Sequence, residues 1–156
     1  MIRIQRAESA ADLEQIRELI REYWGGLGAQ VCFQDLQAEL DGLPGEYAPP
    51  VGELLLGEVD GAAAGCVALR RLDEDACEMK RLYMRDRFRA KGLGGELVLA
   101  ILSSARELGY KIVRLDTLPS MKGAQRLYES LGFYDIPAYA EKSVPGRRNM
   151  ELRLDS

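Results

Sequence analysis

RDRFRAKGLGGELV, residues 85–98, breaks with the rest of an acidic chain. Four basic residues, Arg85, Arg87, Arg89 and Lys91, lead into Gly92, Gly94 and Gly95, and an apolar helical pattern comes next. A helix start leaves its first backbone N–H groups without partners and carries the positive end of the helix dipole. Glycines let that backbone approach a ligand with no Cβ in the way. Together with nearby Arg and Lys, the stretch predicts a cradle for an anion, phosphate above all, on residues 89–95. The plain alternative is a tight turn whose glycines serve only close packing.

Working outward, ACEMKRLYM (76–84) reads as a strand running straight into the turn, and two earlier strands, ELLLGEV (53–59) and AAAGCVALRRL (62–72), precede it. Asp60-Gly61 and Asp73-Glu74-Asp75 are short turn signals, so these three strands form an antiparallel meander. Upstream, IRIQRA (2–7) alternates as a first strand. Ser9 then caps a helix with Leu13, Ile16, Ile20, Tyr23 and Trp24 at helical spacing, stopped by Gly25, Gly26 and Gly28. A shorter helix falls within 33–43, before the Pro/Gly-rich loop 44–53. Downstream of Gly92 a long helix carries Leu93, Leu97, Val98, Ile101, Leu102, Ala105 and Leu108 on one side and ends at Gly109. KIVRLDT (111–117) is a short, central strand. Next comes a helix with Ala124, Leu127, Tyr128 and Leu131 on one face, and FYDI and NMELRL finish as strands. The order β-α-α-β-β-β-α-β-α-β-β predicts an α+β domain with a mixed, mostly antiparallel central sheet and flanking helices, over the single span 1–156.

Composition narrows the chemistry. The chain has 156 residues, 47% apolar and 29% charged, as expected of a globular domain with one sizeable core. No apolar run reaches the roughly 18 residues of a membrane span. The N-terminus turns polar at once, without the pattern of a signal peptide. Cys32, Cys66 and Cys77 form no C-x-x-C pair and read as reduced, buried thiols of a cytoplasmic protein. Histidine is absent, which excludes a Ser-His or Cys-His nucleophile pair and any imidazole metal ligand. Acid–base work must fall to Glu, Asp, Tyr, Lys, Cys or water. From Lys80 to Lys91 the local charge is +5, whereas the whole chain carries −4. That concentration predicts a defined anion site, not a nucleic-acid surface, which spreads over a face.

Known phosphate motifs fit badly. A P-loop needs Gly-Lys-Ser/Thr after its second glycine, and here Gly94 precedes Gly95-Glu96. A dinucleotide fingerprint needs G-x-G-x-x-G within a βαβ unit; here no third glycine stands at the right spacing, and an antiparallel meander precedes the turn. Instead, Arg89-Ala90-Lys91-Gly92-Leu93-Gly94 resembles the R/Q-x-x-G-x-G/A signature of the GCN5-related N-acetyltransferases. The resemblance covers essentially the whole chain. Cys77–Met84 is similar to that family's fourth strand, and AQRLYESLGF (124–133) to its second motif, a helix bearing a Tyr and ending in Gly-Phe. Two departures stand out, Ala90 where many members have glycine and Gly95 where many have a longer side chain. Neither removes an N–H, and the extra glycine costs the helix about 1 kcal/mol relative to alanine.

The resemblance implies a GNAT-like fold and direct transfer of an acetyl group from acetyl-CoA to an amine of a small molecule or peptide, with no metal. It places the cofactor on Leu82, Tyr83, Met84, Arg89, Ala90, Lys91, Gly92, Leu93, Gly94 and Gly95. Leu82 and Met84 would pair with the pantetheine arm like an added strand, and one of their N–H groups would meet the thioester oxygen, a contact worth about 2.7–4 kcal/mol in other oxyanion holes. Tyr128 is the implied general acid, with core packing as the competing reading. Glu78 is the candidate general base, on the strand face of Lys80, while alternation assigns Cys77, Met79 and Arg81 to the opposite face. Its alternative role is a solvated carboxylate paired with Lys80. Trp24, Tyr23, Tyr47 and Tyr139 come from segments that flank the acceptor site in that family. A non-catalytic acyl-CoA binding or sensing module is the competing function. The amine acceptor and the oligomeric state, with a homodimer as one option, stay open; no nucleic-acid or membrane partner is implied.

Overall fold

The computed structural model describes residues 1–26, 33–89, 91–139 and 147–154, with only backbone at 33–35. Its elements are β1 (Ile2–Arg6), α1 (Ala10–Gly25), α2 (Phe33–Asp41), β2 (Glu53–Val59), β3 (Ala62–Arg71), β4 (Ala76–Met84), α3 (Leu93–Glu107), β5 (Ile112–Thr117), α4 (Lys122–Ser130), β6 (Tyr134–Asp135) and β7 (Arg148–Arg153). This is the predicted order. The sheet runs β1-β2-β3-β4-β5-β7-β6, and every neighbouring pair is antiparallel except β4 with β5.

Local signals act as the sequence implies. The Ser9 hydroxyl accepts from the Asp12 N–H at 3.0 Å and starts α1. The Asp73 carboxylate accepts from the N–H groups of Asp75 and Ala76, each at 2.8 Å, and shapes the β3–β4 turn.

Helices cover both sheet faces, which is why β2 and β3 are apolar nearly throughout. On one face, Ile16, Leu19, Ile20 and Leu40 of α1 and α2 pack on Leu54, Leu56, Cys66 and Ala68. On the other, Leu93, Leu97 and Ile101 of α3 pack on Leu55, Val67, Leu69 and Met79. Gly65 brings α3 close: a Cβ there would lie 2.6 Å from the Tyr83 carbonyl and 3.2 Å from Leu93 and Leu97. The N-terminus of α3 is thereby pinned beside β4.

One irregularity in β4 redirects a charged side chain. Cys66 pairs with Tyr83 and Ala68 with Lys80, so β4 carries one residue more than β3 across this interval. The bulge sits at Arg81, whose φ of +59° is left-handed and costs a residue with a Cβ about 1–2 kcal/mol. The extra residue moves Arg81 to the α1–α2 face. There its guanidinium donates to both oxygens of Glu39 at 2.9 and 2.6 Å and stacks 4.6 Å over the Trp24 ring. The strict alternation that grouped Arg81 with Cys77 and Met79 fails at this bulge.

Candidate functional site

β4 and β5 pair only from Ala76 to Glu78, opposite Ile112 to Arg114. Beyond that, β4 continues to Met84 along β3 and β5 continues to Thr117 along β7. The two strands part, and a cleft opens between them. The Arg85 N–H donates to Ala64 of β3 at 2.8 Å, so alternation along the extended chain turns the N–H groups of Met84 and Leu82 to the open edge. The carbonyl of Met84 faces that way too, accepting from Arg89 Nε at 3.1 Å.

A groove of roughly 690 Å³ runs along this edge, lined by Leu82, Tyr83, Met84, Arg89 and Gly94 on one side and by Ala124 and Leu127 of α4 on the other. Gly92 caps α3 at φ +83°, a conformation that favours glycine. The helix ladder begins with the Glu96 N–H on the Gly92 carbonyl, which leaves the N–H groups of Leu93, Gly94 and Gly95 without intrahelical acceptors. At Gly94 an added Cβ would come 2.8 Å from Met84 Cε, and at Gly95 it would come 3.9 Å from Leu127. The missing Cβ atoms keep the helix start close to Met84 and Leu127, and Gly94 itself lines the groove. Leu93 is buried in the core, so only its backbone can serve the groove; Lys91 is exposed. Ala90 lies outside the described residues.

The basic run does not gather at this groove. Arg81 is tied to Glu39, Arg85 to Glu22 at 2.8 Å and Arg89 to Asp86 at 2.6 Å, and Lys80 lies 3.7 Å from Glu78. Arg87 stacks on Phe88 at 4.5 Å. Charges that lie side by side in the sequence are taken up one by one, by carboxylates of α1, α2, β4 and the turn after β4.

A smaller cleft adjoins the groove where β4 and β5 part. Trp24, Lys80, Arg81, Asp116, Thr117, Tyr128 and Arg147 line it, with Tyr23, Leu82, Met121 and Ala124 shared between the two. Tyr128 is 5% exposed, and its ring meets Phe133 at 5.6 Å. Among the described residues none hydrogen-bonds its hydroxyl. Burial, followed by the neighbouring Tyr23 and Asp116, pushes its phenol well above the ordinary range. It is both core and cleft wall, so the two readings of its sequence position are not exclusive.

Glu78 is buried, not solvated. Arg70, its cross-strand partner, donates to Oε1 at 2.6 Å, and the Tyr139 hydroxyl donates to Oε2 at 2.5 Å. Lys80 is the more distant neighbour. Burial pushes the Lys80 ammonium down, against the pull of Glu78, and burial together with Glu78 raises the Tyr139 phenol. Tyr47 packs in the α1–α2 core, away from the cleft. Cys66 and Cys77 are free thiols, pushed up to about 12 by burial and unsuited to nucleophilic work; Cys32 lies outside the described residues. Sequence reasoning missed Asp116, Thr117 and Arg147. Arg147 Nη1 donates to Asp116 at 2.7 Å, joining segments that share no motif.

Among the described residues, no cluster of three or more Cys, Asp or Glu could hold a metal, and no helix is long and apolar enough to cross a membrane. The model of the acetyltransferase (GNAT) family matches residues 13–133. The chain is 36% identical to an uncharacterized N-acetyltransferase of Schizosaccharomyces pombe, over 98% of this chain and 95% of that protein. It is 35% identical to the human N-acetylaspartate synthetase over 63% of this chain, a match that spans only 33% of that longer protein. The fold superposes on the PaiA N-acetyltransferase of Thermoplasma acidophilum, solved in complex with coenzyme A, with a TM-score of 0.75 at 21% identity, covering 98% and 99% of the two chains. Fold, glycine turn and sequence similarity agree: this chain belongs to the GNAT acetyltransferase family.

Proposed function

We propose that this protein is an acetyl-CoA-dependent N-acetyltransferase acting on an amine of a small molecule or peptide. The carrying observation is the continuity of one open surface. The free edge of β4 at Leu82–Met84 runs into the bare N-terminus of α3 at Gly92–Gly95, and the inner end of the groove meets the cleft wall at Tyr128. A coenzyme A molecule needs these in the same order: backbone donors for a pyrophosphate, an unpaired strand edge for an amide-bearing arm, and a proton donor near the sulfur. The bound coenzyme of the Thermoplasma relative supports the same reading.

Acetyl-CoA supplies the activated acetyl group. Leu93, Gly94 and Gly95 offer N–H groups to phosphate, with Arg89 and Lys91 beside them. Tyr83 lends its ring to the groove wall, and the N–H groups of Leu82 and Met84 serve the arm and the carbonyl oxygen. Tyr128 Oη holds a proton through neutral pH, because burial opposes its ionisation, and that proton satisfies the departing sulfur. Glu78 acts as base through Tyr139. Neither residue lines the cleft, so the proton reaches them through a water: the Tyr139 hydroxyl already donates to Glu78 Oε2, which leaves its own oxygen free to accept from that water. One similar protein is named for an N-acetylated amino acid.

The test has two parts. Coenzyme at about 100 times its dissociation constant should add about 2.7 kcal/mol of stability, read as a rise in melting temperature. Acetyl-CoA with a panel of amines should release thiol for at least one of them. Stabilisation without release across the panel would leave the non-catalytic binding module as the better description, and no stabilisation would remove both readings.

A further inference from the structure

In the described part of the molecule, buried side-chain polar atoms that lack a hydrogen-bond partner are Trp24 Nε1, Thr117 Oγ1, Arg147 Nε and Asn149 Oδ1. Three of these four belong to residues lining the smaller cleft. They come from the end of α1, the end of β5 and the segment entering β7, so no shared local structure explains them. The indole and guanidinium N–H groups can only donate, and the Thr117 hydroxyl can donate as well. Buried donors without acceptors are costly, and a native fold keeps few of them. Their concentration in one place points to an acceptor group supplied from outside.

Donor chemistry selects that group. Among the described residues the cleft is lined by Lys80, Arg81 and Arg147 and by one carboxylate, Asp116. The three cations already have carboxylate partners in Glu78, Glu39 and Asp116, but Arg147 spends Nη1 on Asp116 and keeps Nε. What is left for a ligand is a set of donors, one of them on a guanidinium. A carboxylate, with two acceptor oxygens and a negative charge, matches that set.

We infer that the acceptor is an amino acid: an amine whose own carboxylate is taken by Trp24 Nε1, Thr117 Oγ1 and Arg147 Nε. The inference rests on the acetyltransferase reading for the fate of the amine, but the carboxylate subsite is testable without turnover. Titration calorimetry on the CoA-saturated protein would compare L-aspartate, L-glutamate, L-alanine, L-methionine, L-phenylalanine and β-alanine, each beside its primary carboxamide. At least one acid should bind, and its amide should bind about 10-fold to 100-fold more weakly, the usual worth of a charge-assisted hydrogen bond.

Thr117→Val removes a donor without changing shape, and Arg147→Gln removes the guanidinium. Each should shrink the acid-over-amide preference while leaving CoA affinity unchanged, which also shows that the variant is folded. If Arg147→Gln does not fold, the Thr117 variant carries the test. Equal binding of acids and amides, or no binding by any acid, overturns the inference and leaves these donors to water. Acid binding without thiol release would sustain the subsite and count against the transferase. Thiol release that is as fast with amides as with acids would do the reverse.

Discussion

The two halves of the cleft are built on opposite principles. The groove along β4 and the N-terminus of α3 offers backbone: unpaired N–H groups at Leu82 and Met84 and a glycine-lined helix start. The adjoining cleft offers side chains from distant segments, with Trp24, Thr117 and Arg147 each holding an unanswered polar atom. Backbone donors suit a ligand shared by a whole family, because they survive most substitutions. Side-chain donors suit a ligand particular to one member, because each can be exchanged singly. Tyr128 stands where the two meet.

Tyr128→Phe should give the largest effect and tests the boundary itself. Nothing among the described residues hydrogen-bonds the hydroxyl, so its removal leaves the packing against Phe133 intact. Turnover should fall about 100-fold to 10,000-fold, the worth of a positioned general acid. Coenzyme affinity and melting temperature should hardly move. Full activity in the variant would return Tyr128 to the core and leave the site without its acid.

Glu39→Gln comes next and probes the strand that separates the halves. It leaves Arg81, only 11% exposed at its side chain, without its charged partner on a left-handed bulge. Urea unfolding should show a loss of about 1.5–3 kcal/mol, as for other hydrogen bonds to charged groups. No loss would mean that the sheet alone holds the bulge, and the ion pair is incidental.

Gly94→Val should act on the backbone half alone. The nearest obstacle to its Cβ is the movable tip of Met84, so the fold should persist. Acetyl-CoA affinity should drop at least about tenfold, or roughly 1.4 kcal/mol, with the acid-over-amide preference of the other half unaltered. Unchanged coenzyme affinity would assign this glycine to packing. Gly92 is a poorer probe, because its φ of +83° strains any replacement whatever the ligand does.

The same division decides what the sequence could tell. Hydrophobic period, turn residues and caps are local, so the element order is legible from Ile2 to Arg153. The helix start at Gly92 is legible for the same reason, since its cradle consists of consecutive residues. Three things are not. A single extra residue in β4 leaves no mark on composition, so alternation alone assigns Arg81 to the wrong face. Adjacent basic residues look like one patch, but four of the six meet carboxylates held by α1, α2, β4 and the turn after β4. The nearest partners of Glu78 are Arg70, fixed by hairpin register, and Tyr139, brought in from far along the chain. Lys80, the pairing its sequence position suggests, lies farther off at 3.7 Å.

The parting of β4 from β5 leaves the sheet one strand short in its middle, a place where a folded protein seldom tolerates free edges. Isotope exchange makes the consequence visible. Along Leu82–Arg85, amide hydrogens directed at β3 are locked, as the Arg85 bond to Ala64 illustrates, while those of Leu82 and Met84 face solvent. Exchange should therefore alternate fast and slow from one residue to the next within a single strand. A ligand that pairs with the edge would slow the fast pair and erase the alternation. A coenzyme bound in this way would complete the sheet, and its arrival would be the last step of β-strand pairing.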